Sequence, residues 1–325
     1  MHKAWAALWL AILQFALPAT AATAAETAWP THPIRLIVPF APGSFTDIAA
    51  RAVSAEISSQ LGQTFVVENR GGAGSIIGTD QVAKADPDGY TLLFVDNSFA
   101  VSAAYYRKLP YDPAKDLTQV ALVADTPAVL VCRTGLNIHT LKDLVAQARK
   151  TSGGMTFGSG GQGSSAHLAM EAFLLQNGLQ MVHVPFKGVA ESMIDIAANR
   201  VDTGIGSIGS TVQHIQNKRM VGLAISGDHR SASMPDVPTF AEAGFPDYKV
   251  RYWFGYMAPA RVPAAVVERI AQAVGKALQS DRVKQVFAAA GVDPTITTPA
   301  RFHALVQSDI AMWKEVIARA DIQTQ

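Results

Sequence analysis

Short runs of apolar, often β-branched residues alternate along this chain with longer stretches in which apolar positions recur every three or four residues. That alternation predicts an α/β fold, with a mostly parallel sheet flanked by helices. Ile34–Phe40 reads as the first strand and Thr46–Leu61 as the first helix, with Ile48, Val53, Ile57 and Leu61 on one face and Gly62 as its stop. Ser44 and Asp47 stand three apart at the helix start, the spacing of a capping box. Phe65–Glu68 and Thr91–Val95 follow as strands, separated by a Gly-rich loop, a helix and the turn Asp86-Pro87-Asp88-Gly89. A second unit opens at Ala128–Cys132 and runs through a helix from Thr140 to Arg149. It continues with strands at Met155–Phe157, Met181–Val184, Gly204–Ile205 and Val221–Ile225. Beyond a turn-rich stretch, Arg230 to Tyr248, the run Tyr252–Pro259 leads into three helical patterns: Ala264–Leu278, Arg282–Ala290 and Pro299–Ala320. Both halves repeat the order strand, Gly/Ser loop, helix, but no repeat is visible residue by residue.

The chain begins with the basic Met1-His2-Lys3, an apolar stretch from Ala4 to Leu17 and small residues from Ala19 to Ala25, the layout of a secretory signal peptide over residues 1–25. The apolar stretch is short of the roughly 20 residues a membrane span needs. The one cysteine, Cys132, lies mid-strand, so neither a lipid anchor after the apolar stretch nor an internal disulfide is expected. Removal of the peptide leaves about 300 residues, enough for two lobes at about 100–200 residues per domain. Residues 26–125 with 252–325 form the first expected lobe and 126–251 the second, the chain crossing near 124–128 and near 250. Lys and Arg number 27 against 26 Asp and Glu, a net charge of +1, which argues against nucleic acid as a partner.

Two Gly/Ser-rich loops carry the candidate chemistry: Pro39–Asp47 and Phe157–His167, each between an apolar run and a helix. A helix start offers unpaired N–H groups and a positive dipole end, so two of them across a cleft suit a small anion. Other readings fit less well. Gly158–Gly163 matches G-x-G-x-x-G, but the acid that a dinucleotide site wants after the next strand is missing, that stretch being His183–Lys187. Ser164, Ser165 and His167 suggest a secreted hydrolase, yet residues two or three apart at a helix start do not aim nucleophile and base at each other, and no G-x-S-x-G occurs. The eight histidines show no ligand spacing, so no metal and no cofactor is expected.

Several segments resemble one family, and together they span the mature chain. They are Trp29–Gly43 (WPTHPIRLIVPFAPG), Val67–Gly74 (VENRGGAG), Ala85–Leu92 (ADPDGYTL), Leu109–Asp116 (LPYDPAKD), Gly158–His167 (GSGGQGSSAH), Val184–Gly188 (VPFKG), Pro235–Gly244 (PDVPTFAEAG) and Trp253–Gly255 (WFG). They resemble the extracytoplasmic solute receptors of tripartite tricarboxylate transporters, the Bug-type receptors of Gram-negative bacteria. The resemblance implies a two-lobed periplasmic binding fold of type II-like form, closing on a small carboxylate. It further implies a periplasmic, monomeric protein that delivers its ligand to a two-subunit membrane permease. A sensor partner of a membrane kinase is the alternative within the same fold.

Carried onto this chain, the ligand-facing positions are Gly43, Ser44, Phe45 and Asp47 in the first loop, and Ser159, Gly160, Gly161, Gly163, Ser164, Ser165 and His167 in the second. Lys187, Gly188, Ser98 and Ser207 complete the set. The chain departs from the family at Ser44 and Phe45, where a glycine and a small residue are usual, and at Gly206, where an acid is frequent. Phe45 either packs under its loop or stacks on the ligand, and the second option favours an aromatic carboxylate over a dicarboxylate.

Overall fold

The computed structural model describes residues 29–319, 322 and 324; the expected signal peptide lies outside them. The chain runs through β1 (Ile34–Val38), α1 (Phe45–Leu61), β2 (Phe65–Asn69), α2 (Ile76–Ala83), β3 (Thr91–Asp96) and α3 (Ser98–Tyr105). The long β4 (Leu117–Arg133) precedes α4 (Leu141–Thr151), β5 (Thr156–Ser159), α5 (Ser165–Asn177), β6 (Val182–Pro185), α6 (Val189–Ala197), β7 (Thr203–Ser207), α7 (Ile208–Gln216) and β8 (Met220–Ile225). After these come β9 (Arg251–Pro259), α8 (Ala264–Ala277), α9 (Asp281–Ala289) and α10 (Pro299–Arg319). Among the described residues no helix is long and apolar enough to cross a membrane.

The strands lie in the order β2-β1-β3-β9-β4-β7-β5-β6, with β8 also on β4. β1 pairs in parallel with β2 and β3, and β5 with β6 and β7. Every antiparallel pair involves β4 or β9. The parallel arrangement expected from the sequence thus holds within each helix-flanked trio, and the sheet as a whole is mixed because β4 and β9 run back across it. Leu92–Val95 and Val129–Cys132 are unexposed on both faces, which is why they read as unbroken apolar runs.

β4 begins eleven residues before the expected strand start at Ala128. Asp125-Thr126-Pro127 interrupts the apolar pattern and hides the first half. Pro127 is tolerated because the strand changes partners there: Pro127 pairs with Arg251 of β9, whereas Ala128 pairs with Ser207 of β7 and donates its N–H to Ser226 Oγ at 2.8 Å. β9, which the sequence did not mark as a strand, starts opposite that point. The two segments expected to cross between lobes therefore sit side by side, tied by Arg251 Nε to Asp125 Oδ1 at 2.8 Å.

α1 buries Ala49, Ala50, Val53 and Ile57 and packs against α8 and α9. Ile48, expected on that face, is 43% exposed, because the small Ala49 and Ala50 set the contact and turn its side chain outward. Gly62 ends the helix as expected, at φ 68°. α10 packs on β4 and α3 in the first lobe and touches α5 in the second. It is anchored by the buried Trp253 indole donating to Asp309 Oδ2 at 2.9 Å; burial pushes that carboxyl up to about 7, against the pull of the indole.

Candidate functional site

α1 and α5 start in the same way. Gly43-Ser44-Phe45-Thr46-Asp47 and Gly163-Ser164-Ser165-Ala166-His167 superimpose as a pattern: a glycine at positive φ (81° and 70°), an extended serine cap, two turn residues and a polar residue that reaches back. The serine oxygens accept from the Asp47 and His167 N–H groups at 3.2 and 3.3 Å. In return Asp47 Oδ2 accepts from the Gly43 N–H at 3.0 Å, and His167 Nδ1 from the Gly163 N–H at 3.1 Å. This is a capping box displaced by one residue, since the reaching side chain takes the glycine amide and not that of the cap. The amides of Phe45 and Thr46 in one loop, and of Ser165 and Ala166 in the other, keep no acceptor and point out of the helix starts.

Past that plan the two loops diverge. Asp47 Oδ1 also receives Arg51 Nε and Asn69 Nδ2, both at 2.9 Å. Burial pulls this carboxyl up, but Arg51, Gly43 and Asn69 outweigh it and hold it below the usual carboxylate range. Its oxygens serve the loop, which leaves it no ligand-facing role. The Phe45 ring meets Phe254 edge-on at 4.9 Å and Phe287 at 5.7 Å, and a Cβ on Gly209 of α7 would come within 3.2 Å of it. Of the two readings of Phe45, packing is the one observed, so the ring gives no reason to favour an aromatic ligand. Its counterpart Ser165 is 6% exposed and its Oγ has no partner.

The second loop rests on a stack that the sequence reading did not find. His167 stacks on His183 at 4.0 Å, and His183 on Phe157 at 4.9 Å. Burial pushes His167 down to about 3, helped by His183, and pushes His183 down to about 4, so both rings are neutral and His167 Nδ1 is free to accept. Register supplies the missing signal: Phe157 and His183 are direct neighbours on β5 and β6. Ser159, fully buried, lies 2.6 Å from His183 Nε2 and spends its hydroxyl on the Gly161 N–H and C=O, so it supports the loop and does not meet the ligand. The hydrolase arrangement is absent: Ser164 caps, Ser165 has no histidine partner, and burial pushes Cys132 up to about 12.

Gly160 backs onto α6, where an added Cβ would lie 3.1 Å from the Val189 amide, and Gly161 adopts φ 113° beside the Phe186 carbonyl. Gly188 caps α6; Lys187 is exposed, its N–H donating to Glu191 Oε2 at 3.2 Å. Ser207 caps α7 and is 8% exposed, and Ser98 opens α3 beside Asp96, its N–H donating to Asp96 Oδ1 at 2.8 Å. With Gly206, whose added Cβ would meet Ser210 at 2.4 Å, the second lobe offers no acid at that position. Gln162 Nε2 donates to Tyr105 Oη at 3.0 Å, so the second loop already touches α3 of the first lobe. A third loop, the Gly-rich one ahead of α2, lies beside it: Gly72, Ala73, Gly74 and Ser75 all hold positive φ, and the Gly74 carbonyl accepts from Ser102 Oγ at 2.8 Å.

Residues 49–322 match the family model described as "Tripartite tricarboxylate transporter family receptor". Protein BugT of Bordetella pertussis is 36% identical over 299 residues, covering 91% of this chain and 92% of that protein. A solved structure of Rhodopseudomonas palustris Rpa4515 with adipate is 32% identical with a TM-score of 0.85, covering 90% of this chain and 98% of that one. MatC from the same organism, with bound malate, is 29% identical with a TM-score of 0.83, covering 89% and 99%. Helix starts rich in free amides and, among the described residues, no serine or cysteine set up as a nucleophile agree with these matches: the chain belongs to the tripartite tricarboxylate transporter receptor family, a family of solute receptors and not of enzymes.

Proposed function

We propose that this protein captures a small aliphatic carboxylate at the start of α5 and hands it to a two-subunit membrane permease. The observation that carries the reading is the state of that helix start. Two amides and the buried Ser165 Oγ have no partner there, the first turn holds no acid, and the supporting histidines are neutral. A carboxylate placed on these donors gains charge-assisted hydrogen bonds of about 1.5–3 kcal/mol each and the positive end of the helix dipole. Rpa4515 with adipate and MatC with malate, both holding aliphatic carboxylates, support the ligand class. The signal-like residues 1–25 support work in the periplasm. The lobes, 26–125 with 252–325 and 126–251, turn about the paired crossings at Pro127 and Arg251.

Thermal unfolding of protein stripped of co-purified ligand tests the capture step. A carboxylate at 100 times its dissociation constant adds about 2.7 kcal/mol of stability. If a panel of aliphatic carboxylates leaves the melting temperature unmoved, the reading fails. Delivery is tested by uptake of the same ligand in cells with and without the chain.

A further inference from the structure

β5 and β7 run parallel, so α5 and α7, which follow them, start at the same edge of the second lobe's sheet. The start of α7 meets the first lobe at Phe45. On its own lobe that ring is held edge-on by Phe254 of β9 at 4.9 Å and by Phe287 of α9 at 5.7 Å. On its other side lies Gly209, the second residue of α7, where an added Cβ would stand 3.2 Å from the ring's Cγ and Cδ2. Glycine weakens a helix relative to alanine, and Gly209 is not among the glycines that hold a positive φ. What the missing side chain provides there is room for the ring.

The same seam carries a second close approach, with the glycine on the first lobe. Gly291, just past α9, holds φ 67°, and an added Cβ there would meet Ile208 Cγ2 at 2.6 Å and Ser233 Oγ at 2.7 Å, both on the second lobe. Ala290 Cβ lies 3.6 Å from the Cβ position of Gly209. All of these contacts stand beside the crossing strands: Phe254 follows Arg251 along β9, and Ser207, the cap of α7, pairs with Ala128 next to Pro127. A group wedged near a pivot displaces the far edges of two lobes by more than its own width, so a small change of volume here decides how far they close.

We propose that Phe45 and Gly209 are a ring-and-seat pair that sets how far the lobes close, and with it how tightly the ligand is gripped at α5; this rests on the carboxylate-receptor reading above. Phe254 and Phe287 hold the ring in place beforehand, so closing on Gly209 orders no further side chain. The contact itself is apolar, an aromatic ring on bare helix backbone, and does not depend on the ligand's chemistry. Both are positioning residues, whose side-chain positions act through the separation of the lobes.

Titration calorimetry and stopped-flow binding on the full chain, stripped of bound ligand, use malate, succinate, glutarate and adipate as probes. Gly209→Leu, which fills the seat, is expected to weaken the tightest probe by at least about tenfold, chiefly through faster dissociation. Adding Phe45→Ala to that chain removes the ring and is expected to bring affinity to within about threefold of Phe45→Ala alone, a rescue that a merely structural glycine would not show. Gly209→Ala adds only the Cβ, gives a smaller loss in the same direction, and takes the place of the leucine variant should that not fold. Unchanged affinity in Gly209→Leu and Gly209→Ala, or a loss that Phe45→Ala does not relieve, overturns the inference and leaves the receptor reading standing. Binding of none of the four probes by the wild type overturns both.

Discussion

The starts of α1 and α5 are one five-residue plan used for two purposes. Each has the glycine at positive φ, the serine cap and the reaching side chain, and each leaves two amides free. What differs is the chemistry at two positions, Phe45 against Ser165 and Asp47 against His167. An acid in the first turn of a helix draws about 0.3–1 kcal/mol, and up to about 2 when partly buried, from the dipole and the free amides. At α1 that interaction is already consumed by Asp47, with Asp96 close to Thr46 as a second acid. At α5 a neutral histidine keeps the loop in shape without consuming it. The lesson is that a Gly/Ser loop becomes an anion site through the absence of a resident carboxylate, and counting donors alone does not reveal it.

The largest test of the pairing concerns the two glycines. An alanine Cβ at Gly163 would meet the Tyr105 ring at 2.7 Å, whereas at Gly43 nothing lies within 4 Å. Both sites force a left-handed backbone, which costs roughly 1–2 kcal/mol for an L-residue, but only Gly163 adds a clash of roughly 1–3 kcal/mol. Gly163→Ala is therefore expected to lose about 3 kcal/mol in denaturant unfolding and Gly43→Ala about 1. Equal losses would mean that the loop and α3 do not touch as described.

Next in size is an exchange that makes α5 resemble α1. His167→Asp keeps an acceptor for the Gly163 N–H but places a carboxylate on the helix start. Like charges brought together at a binding site cost several kcal/mol, so affinity for the carboxylate ligand is expected to fall by roughly 100-fold in titration calorimetry. A fall of less than about threefold would show that the ligand anion sits elsewhere.

Much of this was legible in the sequence, and the gaps have physical causes. Helix ends announce themselves through local residues, so the caps Ser44, Gly62 and Ser164 were readable in place. Fully buried strands such as Leu92–Val95 were readable as apolar runs. The first half of β4 was not, because Pro127 and its neighbours look like a turn until the change of partner strands is known. His183 was missed for a related reason: its role depends on which strand lies beside it, and register is not a local property. The shared five-residue plan escaped notice because it is carried by backbone bonds and only two of its five residue types coincide.

Acid should act on the two regions in opposite senses. His167 has its folded value pushed to about 3, below the ordinary 6.5, so the unfolded chain takes up a proton first and stability falls as pH drops below about 6.5. The slope is about 1.4 kcal/mol per pH unit for that group. Asp96, pushed up to about 6 from the ordinary 3.8, takes up its proton first in the folded state, so its contribution to stability rises as pH falls from about 6 toward 4. Denaturant unfolding between pH 6.5 and 4.5 should therefore show a shallower loss for His167→Asn than for the wild type, and a steeper one for Asp96→Asn. Parallel slopes in all three proteins would remove the electrostatic contrast between the loops.

The smallest expected effect is the most specific to ligand capture. Ser165 Oγ is buried without a partner, and an unsatisfied buried hydroxyl costs folding free energy that alanine does not. Ser165→Ala is thus expected to stabilise the unliganded protein by about 0.5–1 kcal/mol and, in the same protein, to weaken carboxylate binding by roughly tenfold through loss of one charge-assisted bond. A purely structural serine gives a different pattern, in which stability falls and affinity is untouched. Opposite signs in the two measurements arise only if the hydroxyl waits for a ligand, which separates α5 from α1, where Phe45 occupies the same position with its ring already packed.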